Sequence, residues 1–95
     1  MREEITLSLT GPMTRDEIPR WHEVLTENLT PNRALTLELA SSGPWDLAGL
    51  QLLCSAIRTS ESAGGAIRLC GAPGDFLEAS ERAALMPRFS HYLSS

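Results

Sequence analysis

The sequence is short of almost everything that announces a chemistry. Its 95 residues hold two cysteines and two histidines, and Cys54, Cys70, His22 and His91 form no CxxC, HExxH or clustered Cys/His spacing, which excludes the common zinc and dithiol sites. No apolar stretch approaches the roughly 18 residues of a membrane span. The opening Met1-Arg2-Glu3-Glu4 also lacks the apolar segment of a secretion signal, so a cytoplasmic location is expected, where the two thiols behave as small buried hydrophobes and the Asn28-Leu29-Thr30 sequon is accidental. Positive charge is scarce as well. Eight basic residues face 12 acidic ones for a net charge of −4, and the arginines are scattered, whereas nucleic acid or an anionic membrane needs a concentrated positive field. The turn Gly71-Ala72-Pro73-Gly74 comes nearest to a phosphate loop, but it has neither the Lys-Ser/Thr of a P-loop nor the GxGxxG fingerprint. Asp16-Glu17 and the acidic pair Glu78 and Glu81 fit solvated helix faces. No cofactor or metal set and no convergent catalytic groups emerge, and a non-enzymatic protein is expected.

What is present is an ordinary globular composition, 42% hydrophobic and 21% charged, in a length that suits one domain over residues 1–95. Ile5, Leu7 and Leu9 alternate with Thr6, Ser8 and Thr10; Leu35, Leu37 and Leu39 alternate with Thr36 and Glu38; Ile67 and Leu69 alternate with Arg68 and Cys70. This period of two predicts strands near 5–10, 35–40 and 66–70, each with one covered face. Gly11-Pro12 is expected to end the first. Ile18, Trp21, Val24, Leu25 and Leu29 carry helical spacing, with Pro19 in the first turn and Asp16 as the expected N-cap. A second helix is expected from about Asp46 to Ser60, with Leu47, Leu50, Leu53, Cys54 and Ile57 forming one apolar face, and closed by Gly64-Gly65. A third follows Gly74 or Asp75 as cap and presents Phe76, Leu77, Ser80, Ala83 and Ala84 before Pro87 stops it. The order β-α-β-α-β-α predicts an α/β fold: a parallel or mixed sheet with right-handed crossovers and helices mainly on one face, its core holding Leu7, Leu37, Leu50, Leu53, Ile57 and Leu69. Trp45 falls in the loop before the second helix, which leaves both burial and surface contact open. Phe89, Tyr92 and Leu93 are too apolar for a solvated tail and are expected either to fold back or to form a self-association surface, giving a homodimer.

The segment from Leu35 to Leu85 resembles the STAS domain family of anti-sigma-factor antagonists and their relatives. The resemblance rests on the strand Leu35-Thr36-Leu37-Glu38-Leu39 and on Asp46-Leu47-Ala48-Gly49-Leu50, an Asp-x-x-Gly-Leu motif at a helix start. Gly64-Gly65, Ile67-Arg68-Leu69-Cys70, Gly71-Ala72-Pro73 and Glu81-Arg82-Ala83-Ala84-Leu85 follow in the family's order. It implies a STAS-like fold and a protein-interaction module that binds an ATP-binding, kinase-like partner through the loop and first turns of the second helix, here Ser42, Trp45, Asp46, Leu47, Ala48 and Gly49. A second implied role is that of a soluble STAS subunit on the nucleotide-binding domain of a lipid-transporting ABC system. In the family a Ser or Thr after the Asp accepts a phosphate that switches binding off. Leu47 and Ala48 cannot, which leaves Ser41 or Ser42 as the candidates for a displaced switch. The few residues before Ile5 are too short for the family's leading hairpin, so the first strand is expected at an open sheet edge.

Overall fold

Where apolar and polar residues alternate, the chain is extended and pairs side by side. The computed structural model describes residues 3–29, 31 and 33–94. Its strands are β1 (Glu3–Ser8), β2 (Gly11–Met13), β3 (Arg33–Glu38), β4 (Ser42–Trp45), β5 (Ala66–Cys70) and β6 (Leu93–Ser94). Its helices are α1 (Ile18–Asn28), α2 (Leu47–Ser62), α3 (Gly74–Arg82) and α4 (Met86–Ser90). A four-stranded sheet runs β1-β3-β5-β6 and a smaller one pairs β2 with β4. Every pairing is parallel.

The register explains the core. Ile5, Leu35 and Ile67 form one row across the large sheet, and Leu7, Leu37, Leu69 and Leu93 form the next. Leu35, Leu37, Ile67 and Leu69 are buried with Leu50, Leu53, Cys54 and Ile57 of α2 and Trp21 and Leu25 of α1. On the opposite face Glu4, Thr6, Ser8, Glu38 and Arg68 are exposed, so one side of the sheet is covered and the other is open. Leu7 is half-buried rather than buried, because β1 is an edge strand with a neighbour on one side alone.

Several boundaries differ from those the sequence suggests. The first extended run breaks after Ser8, and Gly11, at φ +74°, bends the chain without ending its pairing, which resumes as β2 against β4. Asp16 caps nothing. Residues Arg15–Glu17 form a 3-10 turn after an extended Thr14, and α1 starts at Ile18 with Pro19 in its first turn. Pro73 occupies the N-cap of α3, which leaves Gly74 and Asp75 inside the helix. Pro87 does not stop α3; it sits in the first turn of α4, where its missing N–H has no intrahelical partner to lose.

α2 and α3 end in the same way, with the amide two residues past the C-cap closing on the carbonyl five residues back: Gly65 N–H donates to Ser60 O (2.9 Å) and Leu85 N–H to Ser80 O (2.8 Å). The left-handed residue these closures require is Gly64 in α2 and Ala84 in α3, at φ +76° and +59°. A methyl group in that region is strained by about 1 kcal/mol. Replacing the exposed Ala84 by glycine is therefore expected to raise stability by about 0.5–1 kcal/mol, seen as a higher urea midpoint. An unchanged or lower midpoint would show that Ala84 carries no strain.

The tail folds back. Phe89 is fully buried, its ring 5.2 Å from that of Phe76, and β6 lies along β5 with Leu69 N–H donating to Tyr92 O. The Tyr92 hydroxyl donates to Glu61. That bond, then partial burial, then the carboxylate's charge raise the phenol's pKa above its ordinary value. Among the described residues no helix is long and apolar enough to cross a membrane.

Candidate docking site at the start of the second helix

Asp46 organises the start of α2. Its backbone is extended (φ −120°, ψ −177°), one carboxylate oxygen accepts the Gly49 N–H at 3.1 Å, and the other accepts the Arg15 N–H at 3.0 Å. One side chain thus satisfies an otherwise unpaired amide of the helix and ties the 3-10 turn to it. Gly49 is needed because the β2 backbone passes directly against this turn. A Cβ there would lie 2.2 Å from Met13 O and 3.1 Å from the Trp45 ring. The space that glycine leaves is filled by strand β2 and the Trp45 ring of the same chain.

Trp45 does not belong to the exposed surface. Only 6% of it is accessible, its ring meets Phe76 edge-on at a centroid distance of 4.9 Å, and its Nε1–H donates to Ser42 Oγ at 2.9 Å. The Ser42 hydroxyl in turn donates to Leu39 O at 2.6 Å and is buried. The family resemblance implied Trp45 and Ser42 at the contact surface, and Ser42 beside Ser41 as a candidate phosphate acceptor. Both are corrected by this packing: β4 turns the indole inward, and the hydroxyl is committed to two internal bonds. Ser41 is exposed, in the turn before β4.

The outward-facing part of the motif is Leu47 and the half-buried Ala48. Leu47 is 55% accessible, and among the described residues it is the one large hydrophobic side chain left exposed. It stands at the lip of a groove of about 350 Å³ between α2 and α3, formed by Trp45, Asp46, Leu47, Leu50, Ala79, Arg82 and Ala83. The α3 contribution escaped the sequence reading. Its signal was the pair Ala79 and Ala83 one helical turn apart, small enough to leave a trough beside α2. An exposed leucine thus stands beside a largely apolar trough. Among the described residues no group of three or more His, Cys, Asp or Glu side chains is placed to hold a metal ion.

Comparison with known proteins bears on the whole of this arrangement. The family model described as Mlab, STAS domain matches residues 1–86. A sulfate transporter family protein from Wolinella succinogenes superposes with a TM-score of 0.77 at 16% identity, over 95% of this chain and 75% of that one. The STAS domain of a SulP transporter from Vibrio cholerae superposes with a TM-score of 0.70 at 19% identity, over 98% of this chain and 73% of that one. No curated protein matches the sequence. At these identities the two structures share the fold.

Proposed function

The chain belongs to the STAS domain family, and from that premise we propose that it is a non-enzymatic docking module which binds an ATP-binding partner protein through Leu47 and the α2–α3 groove. The observation that carries the reading is the exposure of Leu47 on a helix start that is otherwise fully tied down: Asp46, Gly49 and Trp45 are committed to internal contacts, and Leu47 is not. The buried centre of a protein interface is more apolar than its rim, and Leu47 would supply such a centre.

Between the two partner classes that the family suggests, the subunit of a transport system is favoured over a phosphorylation-switched antagonist. Positions 47 and 48 offer no hydroxyl, and Ser42 is buried. The two solved structures described above are transporter proteins by their titles. Binding is then set by assembly with the partner.

Leu47→Asp tests this reading, because it exchanges an apolar anchor for a charge at a helix start, where a carboxylate is tolerated or favoured. The expected result is partner affinity weakened by at least about 1–2 kcal/mol with the thermal midpoint nearly unchanged. Affinity capture from the native cell with wild-type and Leu47→Asp baits, read by mass spectrometry, should show a transport ATPase held by the first and lost by the second. Capture of an anti-sigma or chemotaxis-type kinase, with a stoichiometric phosphate on Ser41 in the intact mass, would replace the transport reading by a kinase-switched one.

A further inference from the structure

We propose that the partner presents a segment in which an apolar side chain stands beside a carboxylate, the first entering the α2–α3 groove and the second pairing with Arg82; this rests on the docking reading above. The groove is apolar at Leu50, Ala79 and Ala83, with Leu47 at its lip. Its lining carries one charge of each sign. Asp46 is the one carboxylate among the lining residues, and both its oxygens already accept N–H groups, from Gly49 and Arg15. Arg82 is the one cation there; it is exposed and makes no ion pair with any described residue, Glu78 one turn back included.

Any surface that covers Leu47 also takes water away from Arg82, and a guanidinium buried without a counter-charge is costly. A carboxylate offsets that cost and can do so through two parallel hydrogen bonds, a geometry that guanidinium offers and ammonium does not.

The test uses the full chain and the protein that wild type captures, with affinities measured across a salt titration for wild type, Leu47→Asp, Arg82→Glu and Arg82→Gln. Reversing the charge should weaken binding at least about tenfold, neutralising it should weaken binding less, and both should flatten the salt dependence. Circular dichroism and thermal midpoints should match wild type, Arg82→Gln being the variant that keeps side-chain length and polarity. If Arg82→Glu binds as tightly as wild type, or tighter, while Leu47→Asp does not bind, the acidic partner is wrong and the docking reading stands. If Leu47→Asp still binds, or native mass spectrometry finds a small anion and no protein on the wild-type chain, both fall together.

Discussion

Trp45→Ala is expected to lower the unfolding free energy by about 3–5 kcal/mol, the range for removing a buried aromatic side chain. The substitution opens a cavity against Phe76 and removes the indole donor from Ser42 Oγ. For a domain whose total stability is of the order of 5–15 kcal/mol, that is a large share. Trp45→Phe keeps most of the apolar volume and loses the hydrogen bond, so a smaller cost, about 1–2 kcal/mol, is expected from it. Guanidinium denaturation of the three proteins measures both values. A cost below about 1 kcal/mol for the alanine variant would contradict the buried position. The result also governs how binding data are read: lost partner affinity in Trp45→Ala reports a damaged fold, whereas Leu47→Asp reports the surface.

Gly49→Ala has the second large expected effect, and it runs against helix propensity. Alanine is favoured over glycine inside a helix by about 1 kcal/mol, yet here its Cβ would stand 2.2 Å from a backbone oxygen. Met13 O cannot simply move aside, since it accepts the Asp46 N–H and belongs to the strand paired with β4. Relieving the clash means prising β2 from α2, at a net cost of about 2–4 kcal/mol. Thermal unfolding should show the loss directly. A neutral or raised midpoint would mean that β2 and α2 separate at little cost.

Much of this was readable from residue order. Leu35 and Leu37, Ile67 and Leu69, and the apolar face of α2 follow from periodicity, and the cap by Asp46 follows from hydrogen-bond chemistry at a helix start. The parts that escaped are those with too few residues to show a period: β2 has three, β4 four and β6 two. β4 reads Ser42-Gly43-Pro44-Trp45, turn chemistry that is nevertheless held extended by pairing with β2. Trp45 therefore looked like a loop residue, and its burial depends on Phe76, 31 positions away in the chain. Arg82 was invisible as a site residue for a similar reason. Its place beside Leu47 arises from helix packing, which no local pattern records.

The uniform strand direction has a consequence for how the chain acquires its shape. No two paired strands are joined by a tight turn: Glu3 meets Arg33, and Ala34 meets Ala66, each about thirty positions on. Every ladder must close a long loop, holding a whole helix, before its first hydrogen bond can form. Folding speed is thus expected to be limited by topology, with the helices, whose hydrogen bonds are local, able to form ahead of the ladders.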